Sequence, residues 1–149
     1  MAEQEPTFMI ERIYVKDLSF ESPNAPAAFT MTEAPSVDVG LNTSTQTVDP
    51  ANGLTEVTLT VTVSAKGGST TYFAVEVQQG GLFRLQNIPE EHMPILLAVH
   101  CPTILFPYAR EVVADLVSRG GFQPLHLHPV NFEALYQQAQ QEQGQHTTQ

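Results

Sequence analysis

The side chains best able to do covalent chemistry in this sequence lie around its single cysteine, Cys101, which follows His100 directly. A thiolate beside an imidazole is the pairing of cysteine nucleophiles, and His92 is a second candidate base. A reactive thiolate also needs an electropositive setting, and no Lys or Arg lies nearer than Arg110. The sequence therefore favours a buried, inert thiol, with a small enzyme that uses Cys101, or the pair His126 and His128, as the alternative.

The pair His126 and His128 could place two imidazoles on one face of an extended segment, as in part of a metal site. No carboxylate or thiol stands nearby at a ligand spacing, so the sequence favours two surface histidines and predicts no metal. The chain also has no phosphate-binding loop and no dinucleotide fingerprint, so no cofactor is expected. The pair Gly80 and Gly81 is predicted to break a strand at a turn or bulge.

The composition is acidic: 149 residues carry a net charge of −10 with six Lys and Arg. Such a charge disfavours nucleic acid, since phosphate neutralisation dominates that affinity, and it permits a basic partner. Asp17, Glu21 and Glu76 are, on sequence alone, charges of a solvated surface. One cysteine permits no internal disulfide, and no apolar run reaches the roughly 20 residues of a membrane span. We therefore expect a soluble protein of a reducing compartment, with no signal peptide and no membrane insertion.

The elements that must position these groups are strands first and helices afterwards, an order typical of an α+β domain. Residues 55–64 are the clearest strand, in which Val alternates with Thr, and 70–79 return as the second half of a hairpin. Shorter strands are predicted at 37–41 and at 8–16, where the imperfect alternation indicates a bulge or a change in what the two faces contact. Residues 17–26 and 43–54 are predicted to be irregular.

A wide apolar stripe in the stretch 101–121 predicts a long helix over 104–119, whose first turn holds Pro107. The stripe comprises Leu105, Ala109, Val112, Val113, Leu116 and Val117. It exceeds what one side of a small sheet needs, so we expect this helix to lie between the sheet and a second copy of itself. A shorter helix is predicted at 90–99, ended by Pro102. Asn131 is predicted to cap a last helix, followed by a Gln-rich tail from 137.

Five stretches of the chain resemble the bacterial protein-export chaperone family SecB, in the family's order and spacing. They are RIYVKDLSFESPNAP (12–26), EVQQGGLF (76–83), CPTILFPYARE (101–111), VSRGGF (117–122) and PVNFEALY (129–136). The resemblance implies an α+β domain over 1–136, whose four-stranded antiparallel sheet carries helices on one face, and a flexible tail over 137–149. It also implies assembly of four copies as a dimer of dimers.

The function implied by the resemblance is that of a holdase without ATPase activity. Such a chaperone keeps precursor proteins unfolded in the cytoplasm and delivers them to the SecA motor, whose zinc-containing basic C-terminal segment docks on an acidic surface of the sheet. Carried over to this chain, that surface comprises Asp17, Glu21, Glu76 and Ala74, which replaces the family's leucine. A SecB-like chaperone dedicated to one client, such as a toxin–antitoxin pair, is an alternative.

Two further residue sets follow from combining the resemblance with the strand and helix patterns. Assembly as a tetramer is assigned to Val75, Val77, Gln79, Val112, Val113 and Leu116. Client binding is assigned to apolar groove candidates Phe29, Val37, Val39, Leu41, Leu127, Phe132 and Leu135. Glu33 stands where the family often has an aromatic residue, and the chain has no Trp.

Overall fold

The computed structural model describes the backbone of residues 5–147 and side chains as far as Glu142. Four strands come first: β1 (Thr7–Glu21), β2 (Ser36–Asp49), β3 (Leu54–Gly67) and β4 (Thr70–Gln86). They form one antiparallel sheet in the order β1-β4-β3-β2, so β1 and β2 are its edges. Helices follow and pack on one face, which confirms the α+β class and the four-stranded sheet.

Both edge strands are longer than the sequence predicts. β1 continues through Glu21 and β2 through Asp49, so the irregular structure predicted for 17–21 and 43–49 was wrong. Because β2 is an edge strand whose residues are mostly exposed, its polar run pairs with β3 without needing an apolar alternation. The bulge predicted in β1 is confirmed, with register shifts between Ile10 and Arg12 and again between Val15 and Asp17.

The glycine pair in β4 does not break the strand, contrary to the sequence prediction. Gly80 lies opposite Tyr14 in register, and the Tyr14 ring occupies the space that a Cβ at Gly80 would need. On the other face, a Cβ at Gly81 would lie 2.8 Å from Cδ2 of Leu105. The pair therefore makes room for a large side chain on each face of the sheet.

The substitution Gly80→Val is expected to displace Tyr14 and to lower the free energy of unfolding by about 1–3 kcal/mol, the usual cost of overpacking. Urea unfolding followed by circular dichroism measures the change. In a Tyr14→Ala background the same substitution should cost much less, because the clash is then absent. A Gly80→Val protein as stable as the parent would contradict the close contact.

The core lies between strands β3 and β4 and the helix α2 (Cys101–Arg119). The sheet and α2 each contribute four fully buried side chains. Those of the sheet are Val57, Leu59, Val61 and Val77, and those of α2 are Leu105, Ala109, Val113 and Val117. This confirms the inward part of the predicted stripe. Ile104, Val112 and Leu116 pack against this core but are only partly buried, so α2 keeps some exposed apolar surface beside its buried side.

The helical run into α2 is continuous, so Pro102 does not end a helix as predicted. A 3-10 turn (Glu90–His92), a short helix α1 (Met93–Ile95) and a π turn (Leu96–His100) lead directly into α2. Pro102 has no N–H to donate to an earlier carbonyl, and the wider π turn before it accommodates that loss. Pro107 lies inside α2 instead of in its first turn.

The run Glu90–Arg119 is long and apolar enough to pass as a membrane span by length and composition. One side of α2 is nevertheless buried against the sheet, from Cys101 through Val117. The hydropathy of the run therefore reflects a core helix of this fold.

The last helix, α3 (Phe132–Thr147), begins where the sequence predicts. Asn131 is its cap, since its Oδ1 accepts a hydrogen bond from the Ala134 N–H at 3.0 Å. The helix continues through 137–147, and the side chains described there, 137–142, are exposed. The flexibility of the tail stays a prediction, and its last two residues lie outside the described range.

Candidate functional site

Strand β4 separates two sets of predicted site residues by its alternation. Ala74 and Glu76 point to the outer face of the sheet, whereas Val75, Val77 and Gln79 point to the face that carries the helices. The predicted division of this strand between two surfaces is thus present in the fold.

The outer face brings the predicted carboxylates together. Glu21 lies opposite Ala74 in register, Ser19 opposite Glu76, and Asp17 opposite Gln78. Asp17, Glu21 and Glu76 are all exposed. We call Asp17, Glu21, Ala74 and Glu76 the acidic surface. An open depression of about 550 Å³ is lined by all of these residues except Asp17.

A fourth carboxylate, Asp38 on β2, lines the same depression and was missed by the sequence interpretation. Its register places it across the sheet, because Asp38 pairs with Ser64, and Ser64 pairs with Ala74. The alternation of Val37, Asp38 and Val39 was the signal that could have found it.

The ion pairs on the outer face involve other carboxylates, so they do not neutralise the acidic surface. Lys16 Nζ lies 2.7 Å from Glu56 Oε1, and Arg84 Nε lies 2.7 Å from Glu11 Oε1. Within residues 5–142, none of the carboxylates of the acidic surface, nor Asp38, has such a partner. The depression is therefore a place of net negative charge suited to a basic ligand.

A polar network fixes β1 next to the acidic surface. The Tyr14 hydroxyl donates to Glu56 Oε2 at 2.6 Å, and Lys16 binds the other oxygen. Burial, followed by the bond to Glu56, raises the pKa of Tyr14 to about 12. The hydrogen bonds from Lys16 and then Tyr14 lower the pKa of Glu56. The stabilisation by Tyr14 is therefore complete below pH 10, its ordinary value, and is lost as the pH rises through about 12.

Tyr72 shares the alternation of Ala74 and Glu76 in β4, but unlike the exposed Glu76 it is buried. The segment between β1 and β2 covers it: the Ser22 hydroxyl donates to the Tyr72 carbonyl at 2.9 Å, and the Tyr72 hydroxyl donates to the Glu33 carbonyl at 3.0 Å. Asn24 Nδ2 also donates to the Thr71 carbonyl at 3.0 Å. This crossing segment is therefore held against the hairpin at several points.

Phe29 lies on that crossing segment, within an aromatic cluster. Its ring centroid is 5.0 Å from that of Phe122, which lies 5.1 Å from Phe73, and Phe73 stacks on Phe20 at 5.9 Å. Phe29 itself is 50% exposed. The cluster is an apolar surface separate from the remaining predicted client-binding residues.

Most of those residues line one apolar groove, which lies between β2 and the connector from α2 to α3. The groove has a volume of about 590 Å³ and contains Val37, Val39, Leu41, Leu127 and Leu135. Val39 and Leu135 are 47% and 46% exposed. Phe132 does not line the groove, since it is buried with its ring centroid 6.0 Å from that of Phe106.

Three apolar groove residues were missed by the sequence interpretation: Phe106, Leu125 and Val130. The alternation of Leu125 and Leu127 in the connector was a usable signal for one of them. His126 and His128 lie at this groove. Among the residues that the structure describes, no three His, Cys, Asp or Glu side chains converge as metal ligands.

Cys101 lies in the core with no exposed surface, and burial raises the pKa of its thiol to about 12. His92 and His100, its candidate bases, are exposed. A thiol sealed in the core and held protonated is a poor nucleophile.

The thiol of Cys101 is expected to react with a disulfide reagent at neutral pH only after unfolding. We expect labelling in the folded protein to be at least about 100-fold slower than in concentrated urea, because both burial and the raised pKa suppress thiolate attack. Absorbance of the released thiolate measures both rates. Rapid stoichiometric labelling of the folded protein would contradict the burial.

The residues assigned to assembly fall into two groups. Four are buried within the protomer: Val75, Val77, Gln79 and Val113. Gln79 Nε2 donates to the Tyr14 carbonyl at 3.0 Å, whereas its Oε1 is buried with no partner among the described residues. Val112 and Leu116 pack against the core but are only partly buried. The first group can influence assembly only through the packing under α2, and the second can contact a partner directly.

Comparison with known proteins agrees with this architecture. The family model described as SecB, preprotein translocase subunit SecB, matches residues 1–143. The chain is 80% identical over 149 residues to the protein-export protein SecB of Acidithiobacillus ferrooxidans, covering 100% of both chains. It is 57% identical to that of Dechloromonas aromatica, covering 95% of this chain and 91% of the relative.

A solved structure shares the fold at low sequence identity. It is a SecB-like chaperone of Mycobacterium tuberculosis in complex with a peptide from the HigA1 antitoxin, with a TM-score of 0.69 and 19% identity over 83% of this chain and 90% of that one. The family match over nearly the whole length and the high identities decide the assignment. The chain belongs to the SecB family and is a chaperone of protein export.

Proposed function

We propose that this chaperone is an ATP-independent, non-enzymatic holdase of the cytoplasm that keeps precursor proteins unfolded in its apolar groove. The observation that carries the proposal is the groove itself, where Val37, Val39 and Leu135 remain substantially exposed beside an edge strand. Exposed apolar side chains in a concave surface are typical of an interaction site. Burying each apolar client side chain would contribute roughly 1.5–3 kcal/mol before ordering costs.

The acidic surface is proposed to bind the zinc-containing basic C-terminal segment of SecA. Its support is the convergence of Asp17, Glu21 and Glu76 on one face, without ion-pair partners among the described residues. Ala74, at the centre of this surface, would give a smaller apolar contact than leucine.

Assembly as a dimer of dimers is proposed to use the apolar surface that α2 leaves exposed. Its support is that Ile104, Val112 and Leu116 are only partly buried and that Tyr108 is 50% exposed. Several grooves on one tetramer would convert weak contacts into avidity.

The proposed function is tested by mixing the purified protein with a chemically unfolded precursor and following aggregation by light scattering. Suppression of aggregation without ATP, by a particle with the mass of four chains, is the expected result. A monomer at micromolar concentration that leaves aggregation unchanged would overturn the proposal.

A chaperone dedicated to one client is the second candidate, favoured by the solved SecB-like relative that binds an antitoxin peptide. Pull-down from native cells separates the two. Many co-purified precursors support the general holdase, and a single stoichiometric partner supports dedication.

A further inference from the structure

We propose that Glu56 is a positioning residue for docking: it draws the Lys16 side chain away from the acidic surface, so that the carboxylates there remain free for a basic ligand. This inference rests on the proposed binding of a basic segment to that surface. It adds to docking a residue that lies outside the acidic surface and acts on it only through a lysine.

The second bulge of β1 brings Lys16 onto the same face as Asp17. Val15 lies opposite Gln79 and Asp17 lies opposite Gln78, so Lys16 is the extra residue between the two pairs. In a regular strand successive side chains point to opposite faces, whereas a bulge interrupts that alternation. Lys16 thus lies next to Asp17 on the outer face, with a flexible stem that carries a full positive charge. An ammonium group free in this position would pair with Asp17 and compete with a basic ligand.

The position of Glu56 directs Lys16 away from the acidic surface. Glu56 belongs to the outer-facing positions of β3, which alternate with its core-facing residues, and it lies opposite Leu82 in β4. Along β4, Lys16 lies beside Gln78, between Leu82 and Glu76. The bond to Glu56 therefore draws the ammonium group toward Leu82, in the direction opposite to Glu76.

Glu56 is held at both carboxylate oxygens. Lys16 Nζ lies 2.7 Å from its Oε1, and the Tyr14 hydroxyl donates to its Oε2 at 2.6 Å. The side chain of Glu56 is 14% exposed, whereas that of Lys16 is 45% exposed. The hydrogen bonds from Lys16 and then Tyr14 lower the pKa of Glu56, so it stays ionised at neutral pH. Glu56 is therefore a charged group of fixed position to which a more mobile lysine binds.

The first bulge of β1 offers a matched control. Its extra residue, Glu11, lies between Ile10 and Arg12 and forms an ion pair with Arg84 at 2.7 Å. Positions 76 and 84 of β4 are about 27 Å apart along the strand. Charges at that separation are screened, because the Debye length is about 8 Å at physiological salt. Neutralising Glu11 therefore changes the net charge as much as neutralising Glu56, without freeing a cation near the acidic surface.

The test measures the affinity of the full chain for an oligolysine peptide and for the zinc-loaded SecA segment by calorimetric titration. Glu56→Gln should weaken the binding of both probes by about two- to fivefold, in the range of one exposed ion pair. Glu11→Gln should leave both affinities unchanged. Circular dichroism verifies that the variants keep the fold.

A double-mutant cycle with Lys16→Met separates the positioning of the lysine from a simple effect of charge. The substitution keeps most of the stem and removes the positive charge. If Glu56 holds Lys16 away, Lys16→Met should raise the affinity more in the Glu56→Gln background than in the parent. The double variant should then bind both probes at least as tightly as the parent. A merely structural role of the ion pair predicts that the double variant binds as weakly as Glu56→Gln.

The contrary outcomes separate the inference from the proposed docking. Equal effects of Lys16→Met in the two backgrounds, or equal effects of Glu56→Gln and Glu11→Gln, would overturn the inference while docking stands. If oligolysine shows the expected order of affinities and the zinc-loaded segment does not bind the parent, docking of SecA is overturned while the role of Glu56 stands. If neither probe binds the parent, both are overturned.

Discussion

The triple substitution Asp17→Lys, Glu21→Lys and Glu76→Lys is expected to abolish SecA docking while client holding persists. The three side chains are exposed on one face of the sheet and form no ion pair among the described residues, so their loss should not destabilise the fold. Placing like charges opposite a basic segment costs several kcal/mol, which corresponds to at least about a 100-fold loss of affinity. Calorimetric titration with the zinc-loaded SecA segment measures the affinity.

A matched charge reversal away from this surface serves as the control. Glu90, Glu91 and Glu142 are exposed carboxylates on the helical part of the chain. Their replacement by lysine changes the net charge equally and should retain most of the affinity. Equal losses in the two triple variants would show that only net charge matters. Loss of client holding together with docking would show that the acidic surface is structural.

The double substitution Val39→Glu and Leu135→Glu is expected to abolish client holding while docking persists. Both side chains are nearly half exposed at the apolar groove, so the fold should tolerate the change. Each glutamate removes an apolar contact worth about 1.5 kcal/mol or more. Together they should weaken the binding of an unfolded client by at least about 100-fold. Suppression of client aggregation, followed by light scattering, is the measurement.

Val48 provides a control for this prediction within the same strand. It is 54% exposed on β2, outside the apolar groove, so Val48→Glu makes the same chemical change at a similar exposure. Its aggregation suppression should stay within about twofold of the parent, because surface substitutions of this kind have small effects. If Val39→Glu and Val48→Glu reduced aggregation suppression equally, the apolar groove would not be the client-binding site.

The strongest alternations in the sequence were sufficient to predict which faces meet. The Val and Thr alternation of β3 and the stripe of α2 identified Val61 and Leu105 as core, and both are fully buried. The alternation of β4 placed Glu76 on the face opposite to Val75 and Val77, where it is exposed. The periodicity of the sequence alone determines which face of such an element is buried, because a strand or helix with one buried side has only one favourable orientation.

Other features depend on contacts between distant segments, which no local pattern contains. A glycine pair such as Gly80 and Gly81 usually indicates the end of a strand. Gly80 nevertheless stays in β4, where Tyr14, which is distant in sequence, packs over it. Tyr72 has the alternation of a solvated residue, yet the crossing segment through Glu33 buries it. Phe29 and Val39 belong to separate apolar surfaces, which becomes visible only once the connector before α3 is placed.

The alternation of β2 has a consequence for the order of events in delivery. Asp38 lines the acidic depression, whereas Val37 and Leu41 line the apolar groove, so the alternation of β2 places the two proposed binding surfaces on different faces of the sheet. Occupancy of one surface therefore does not sterically exclude occupancy of the other. If the two surfaces act as proposed, a ternary complex of client, chaperone and motor can form from either side, and the client would be close to the motor before it dissociates. Transfer then depends on local concentration instead of on release into solution.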